Sequence, residues 1–261
     1  MNITPLDKQV NITNSLLPKH PFSMLLNASK GGGKTTTLIN LIEKGLNNTF
    51  NRIVLVSPTH AYDDKLQHLI NSPIQKPNWN LYKKMNTQFL WDKTKRYDKE
   101  EFDKKYSYID TNDIHNHLNL DILDDLIEDQ DYIIKTYGKN ISDKVLLILD
   151  DAIQSDIIKS RKFLHTNLIS RHLNISIIFV TQAYYLLPKS LRLNTTTLCL
   201  FKIPNEKELK NIQEEWNIGI PKEKFFAEYE RLTNIPFNFV VLNCQNQIGY
   251  RFQNAFKEFI L

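Results

Sequence analysis

The sequence predicts an α/β fold with a mostly parallel central sheet flanked by helices. Three observations carry this. Five apolar runs, at 22–26, 53–56, 145–149, 175–180 and 197–201, are nearly continuous rather than alternating, as strands covered on both faces require. Helical spacing fills most of the intervals between them and gives repeated strand–helix units. Three of the chain's seven glycines also stand together, at Gly31, Gly32 and Gly33, where the first run passes into a helical pattern.

The first run ends in Ala28-Ser29-Lys30-Gly31-Gly32-Gly33-Lys34-Thr35, and Leu38, Ile39, Leu41 and Ile42 follow at helical spacing up to Gly45. Strand, glycine loop and helix start form the arrangement that wraps a polyphosphate, because backbone without Cβ atoms can turn its N–H groups inward. Lys34 would reach the β/γ-phosphates and the Thr35 hydroxyl would hold Mg²⁺. Ser29, Lys30, Gly31, Gly32, Gly33 and Thr36 would complete the wrap. The expected class is therefore a P-loop NTPase. Ala28 stands where the usual pattern opens with Gly, and it fits there only at negative φ.

After the second run comes a long charged segment, about 61–140. It holds Trp79, Trp91, Tyr97, Tyr106 and Tyr108, with Lys83, Lys84, Lys93, Lys95, Arg96, Lys99, Lys104 and Lys105 interleaved among acids. A structureless loop of that length is improbable, so the segment is expected to be a helical insertion. Within 121–134, Ile122, Leu123, Leu126, Ile127, Ile133 and Ile134 share one helical face, which is expected to pack on the sheet.

The third run ends in Asp150-Asp151. Ligands of open α/β sheets gather at the carboxyl ends of strands. Asp150 is placed to coordinate Mg²⁺, and Asp151 to polarise the attacking water. The fourth run ends in Thr181-Gln182, where an amide can orient that water or sense the phosphate. Arg171, Arg192 and Arg161, in that order, are candidates for an arginine that neutralises charge in a neighbouring subunit's site. The fifth run is followed by a C-terminal β-hairpin, 237–242 and 248–252 joined by 243–247, then a short helix or tail at 255–261. His115 and His117 lack partnering cysteines, so no metal site is expected there.

The whole of 1–261 is expected to form a single P-loop domain carrying the insertion. The chain has 33 basic and 29 acidic residues, a net charge of +4, which permits nucleic-acid binding without demanding it. Cys199 and Cys244 lie in apolar runs and are expected to be buried free thiols of a reducing compartment. The polar first nine residues give no signal peptide, and no stretch reaches transmembrane length, so no membrane partner is expected.

Four blocks together resemble one family: Ala28 to Thr37, Arg52 to Thr59 (Arg-Ile-Val-Leu-Val-Ser-Pro-Thr), Leu146 to Asp151, and Ser170 to Gln182. The combination is similar to the genome-packaging ATPases of poxviruses, giant viruses and virophages, within the FtsK–HerA superfamily. The last block, with its Arg-His pair, apolar strand and terminal Gln, is the most specific. The resemblance implies ATP and Mg²⁺ as cofactors, with one further strand between the Asp150 strand and the glycine-loop strand. It also implies a homo-oligomeric ring, hexameric or pentameric, that moves double-stranded DNA into a capsid and meets capsid proteins. The implied location is the host cytoplasm or viral factory, or the virion. Lys34, Thr35, Asp150, Asp151 and Gln182 match the family's roles, with Arg171 as the finger. A nucleotide-dependent scaffold with little turnover, or another P-loop NTPase such as a helicase, is the alternative.

Overall fold

A computed structural model of the chain describes residues 14–85, 99–152, 156–216 and 218–260. Trp91, Lys93, Lys95, Arg96 and Tyr97 of the charged segment lie outside the described residues.

The sheet has the order β3-β2-β4-β5-β1-β6-β7-β8-β9 among the described residues. Its parallel part comprises β1 (Ser23–Asn27), β2 (Arg52–Val56), β3 (Ile114–His115), β4 (Val145–Asp150), β5 (Ile175–Thr181) and β6 (Thr197–Leu200). The antiparallel strands β7 (Val240–Asn243), β8 (Phe252–Asn254) and β9 (Glu258–Phe259) extend it from β6. The five apolar runs are thus the five central strands, as expected. β5 lies between β4 and β1, the intervening strand that the family resemblance implied.

Period-two alternation divides the apolar runs between two cores. Leu147, Leu149, Ile177 and Phe179 face one core, with Leu123 and Leu126 of α5 (Leu120–Tyr137) and Phe163 of α6 (Arg161–Ile169). Leu146, Ile148, Ile178 and Val180 face the other, with Leu38 of α1 (Lys34–Asn40) and Leu69 of α2 (Asp64–Ile70). Helices on both faces explain why these strands read as continuous apolar runs.

The charged segment carries α2, α3 (Trp79–Met85), α4 (Lys99–Tyr106) and α5. The Asn119 side chain caps α5 by accepting from the Ile122 N–H at 2.8 Å. Four of the segment's aromatics, Trp79, Tyr82, Phe102 and Tyr106, pack on one another: Trp79 stacks on Tyr82 with centroids 5.5 Å apart, and Phe102 lies 4.5 Å from Tyr82 and 4.6 Å from Tyr106. β3, an edge strand inside this segment, had no sequence signal, because two half-buried residues cannot show a period.

The C-terminal expectation needs correction. The strands start later than 237 and 248, and the connection spans 244–251. Ile248 points to solvent, and Gly249 at φ +94° breaks the extended backbone. The connection is polar because it binds the start of the described chain. Asn246 Oδ1 accepts from the Ser15 N–H at 2.9 Å, and Gln245 Oε1 from the Lys19 N–H at 2.7 Å. Residues 258–259 form β9 rather than part of a helix. Cys199 and Cys244 are free thiols, the first buried and the second half-buried. No helix among the described residues is long and apolar enough to cross a membrane.

Candidate active site

The glycine loop connects Asn27, the last residue of β1, to Lys34, the first of α1. Gly31 and Gly33 take φ +76° and +95°, where a Cβ would be strained. Gly32 is in a tight place, since a Cβ there would lie 3.0 Å from Ser29 O. Ala28 is not among the residues of positive φ. Its N–H donates to Thr181 O at 3.1 Å, so the chain is still extended there and tolerates a methyl group. Lys34 is buried and bridges the loop, its Nζ donating to Ala28 O at 2.9 Å and Ser29 O at 3.2 Å. Burial lowers the Lys34 pKa, and the nearby Asp151 and Asp150 partly offset this.

Register brings the other residues to the same edge. Asn27 pairs with Thr181, and Asp150 with Val180, so β1, β5 and β4 end side by side. Asp150 is buried and its Oδ2 accepts from Ser57 Oγ at 3.0 Å. Burial pushes its carboxyl up to about 6, with Asp151 and Asp63 adding to the rise and Ser57 and Lys34 opposing it. Asp151 sits at φ +48°, a left-handed conformation that Asp adopts more readily than most residues. That bend turns its carboxylate toward Gln182, whose Nε2 stands 3.3 Å from Oδ2 and 3.5 Å from Oδ1. A cleft of about 1480 Å³ joins Lys34, Thr35, Asp150, Asp151 and Gln182.

The donor set suits Mg²⁺. One buried carboxylate and one hydroxyl, Asp150 and Thr35, match a cation completed by phosphate oxygens and water. No cluster of three or more His, Cys, Asp or Glu side chains that could hold a metal is present among the described residues.

The arginines are placed otherwise than expected. Arg171 precedes β5 at its amino end, the length of a seven-residue strand from Gln182, or roughly 20 Å at the usual rise. It is exposed, lies away from the nucleotide edge of its own chain, and its carbonyl accepts from Lys139 Nζ. Arg192, in α7 (Lys189–Asn194), is buried and forked on Glu215 at 2.9 and 3.0 Å. It is therefore a structural residue and not a free finger. Arg161 opens α6, which returns from the carboxyl end of β4 to the amino end of β5, so this exposed arginine stands on the Asp150 side.

Sequence reading missed two groups at the cleft. One follows β2: Ser57 on Asp150, Asp63, and Lys65, whose Nζ donates to Thr36 Oγ1 at 2.8 Å. Its signal was a polar turn after an apolar strand, the same signal used at Asp150. The other is an aromatic wall of Phe237, Phe239 and Phe256, more than 200 residues beyond the glycine loop and without any motif.

A phosphate-wrapping loop, a strand-end carboxylate pair and an intervening strand ending in Gln define a P-loop NTPase. A family model described as "Poxvirus A32 protein" matches residues 80–232, more than half of the chain. The chain belongs to that family. The match begins beyond the glycine loop, so loop and family are independent observations. No curated protein matches the chain by sequence. Among solved structures it is similar to the genome packaging NTPase B204 from Sulfolobus turreted icosahedral virus 2 in complex with AMP. That likeness has a TM-score of 0.53 at 14% identity and covers 94% of this chain and 100% of the other. The same NTPase with ATP-gammaS gives 0.50 at 13%, covering 87% and 94%. The expected fold and the expected relationship to a poxvirus family are thereby borne out.

Proposed function

We propose that this chain is a Mg²⁺-dependent ATPase that drives double-stranded DNA into a viral capsid as a homo-oligomeric ring. One observation carries the chemistry: Lys34, Asp150 and the Asp151–Gln182 pair converge on one cleft at the carboxyl edge of β1, β4 and β5. The family carries the biology, together with the fold shared with a viral packaging NTPase that was solved with nucleotide.

In this reading the loop N–H groups and Lys34 bind the β/γ-phosphates. Thr35 and Asp150 hold Mg²⁺, which would neutralise charge on the transferring phosphoryl group. Asp151 polarises the attacking water, and Gln182 orients both the carboxylate and the water. An arginine of the neighbouring subunit completes the site, and the exposed Arg161 and Arg171 are the candidates, with Arg161 tried first. The ring would be a hexamer or pentamer, meeting DNA inside and capsid proteins outside, in the host cytoplasm, the viral factory or the virion. Exposed Lys84, Lys104, Lys105 and Lys189 suit phosphate contacts.

The test is ATP turnover of the purified chain with and without duplex DNA, beside Lys34→Ala. Stimulation by DNA, lost in the variant and weakening steeply with salt, is the expected result. ATP binding without stimulated turnover would favour the scaffold alternative. Undiminished turnover in Lys34→Ala would remove the cleft as the catalytic site.

A further inference from the structure

The two ends of the cleft differ. From β1, the carboxylates and Gln182 lie toward β5 and β4, and the strands β6, β7 and β8 lie on the other side. A nucleoside triphosphate whose terminal phosphate faces Asp150 and Asp151 must send its nucleoside the opposite way. The wall there is aromatic, made of Phe237, Phe239 and Phe256.

Two of these rings are already engaged. Phe239 stacks on Phe201 with centroids 4.7 Å apart and meets Phe256 edge-on at 5.8 Å. Phe237 is in no such ring pair among the described residues. It is 72% exposed, and its ring lies against the glycine loop, where a Cβ on Gly33 would come within 3.2 Å of Cδ1. Its backbone is left-handed, at φ +60°, a conformation bulky residues rarely adopt. Asn238 holds that bend, its N–H donating to Ile235 O at 3.1 Å and its Nδ2 to Leu232 O and Asn254 Oδ1 at 3.1 and 3.0 Å. Core packing does not account for a phenyl ring so exposed, and backbone preference would select Gly. Strained residues of this kind cluster at ligand sites.

We infer that Phe237 is the stacking platform for the nucleobase. The inference rests on the reading of the glycine loop as a triphosphate site and adds which residue holds the nucleoside. An aromatic face recognises any base by its π-surface, so Phe237 contributes affinity for ATP that a bare polyphosphate does not receive.

The experiment measures calorimetric binding of Mg²⁺-ATP and of Mg²⁺-tripolyphosphate to wild type, Phe237→Ala and Phe237→Trp. Phe237 is exposed, so all three chains are expected to fold, with thermal melting as the check. Wild type should prefer ATP. Phe237→Ala should lose roughly 5- to 150-fold in ATP affinity, as stacking on one base implies, with tripolyphosphate affinity unchanged. Phe237→Trp should keep ATP affinity and show indole quenching by ATP but not by tripolyphosphate. Unchanged ATP affinity in Phe237→Ala, or an equal loss for both ligands, would overturn the inference while leaving the loop intact. Wild type that binds neither ligand would overturn the triphosphate site and this inference with it.

Discussion

Replacing Arg192 by Ala should lower the stability of the fold by a measurable amount. The guanidinium is 7% exposed and forms two bonds to Glu215, at 2.9 and 3.0 Å, and one to Leu187 O at 2.8 Å. It also lies 4.7 Å from the Tyr184 ring centroid and 5.0 Å from that of Tyr185. Burial alone would lower its pKa, but the bonds to Glu215 outweigh this, and Arg192 in turn holds Glu215 below its usual range. Truncation leaves Glu215 without its counter-charge and Leu187 O without this donor. Breaking a buried pair from one side costs about 3–5 kcal/mol, and the partly exposed Glu215 puts this case near the lower figure, about 3 kcal/mol. For a chain of this size that is a fall in melting temperature of about 6–12 °C. Arg192→Lys keeps the charge and loses the fork, so it should fall in between. Thermal melting monitored by circular dichroism is the assay. A wild-type melting temperature for Arg192→Ala, combined with lost turnover or lost DNA binding, would refute the structural assignment and restore Arg192 as a functional contact.

Three further outcomes are expected. Asp151→Asn should bind ATP normally in equilibrium titration and hydrolyse it about 10²- to 10⁴-fold more slowly, whereas normal turnover would show that another group polarises the water. Arg161→Ala should turn over slowly alone and recover activity when mixed with Lys34→Ala, because a mixed interface can join an intact loop to an intact arginine. Recovery with Arg171→Ala instead would mean that the neighbour presents its opposite edge. His20, whose Nδ1 lies 2.7 Å from Ser176 Oγ, is held down at about 4, mainly by burial and also by Lys144 and Lys139. The unfolded chain therefore takes up a proton near 6.5 that the folded chain refuses until about 4. Stability should fall by up to about 3 kcal/mol across that window on acidification. Urea midpoints for His20→Gln that keep the full wild-type pH dependence would exclude His20 as its source.

What the sequence made legible follows from what each element needs locally. A strand buried on both faces has to be apolar throughout, so all five central strands could be read directly. The glycine loop and Asp150-Asp151 were legible because their chemistry requires particular residue types at consecutive positions. β3 was not, because it is two residues held by pairing with β2. The C-terminal connection was misread because Ile248 is apolar for reasons unrelated to the core, and the bonds of Asn246 and Gln245 reach residues more than 200 positions away. Phe237 is illegible for the same cause, since only the sheet order brings it to Gly33.

The arginines show how an error of position becomes information about the site. Proximity in sequence to Gln182 suggested both Arg171 and Arg192, yet a strand carries its two ends apart, and only the carboxyl end meets the nucleotide edge. Arg192 acts on that edge indirectly. Two residues beyond Gln182, the Tyr184 N–H donates to Glu208 at 3.0 Å and its hydroxyl to Glu215 at 2.7 Å, the carboxylate that Arg192 grips. Trp216 Nε1 donates to the same hydroxyl at 2.9 Å. The segment leaving β5 is thus fastened to α8 (Glu206–Glu215), which fixes the point from which Gln182 reaches Asp151. A side chain that selects the position of an attacking water must itself be held within fractions of an ångström. The buried fork on Glu215 supplies that anchoring, so Arg192, the second candidate for the finger, is one of the residues that keep the polar amide in place.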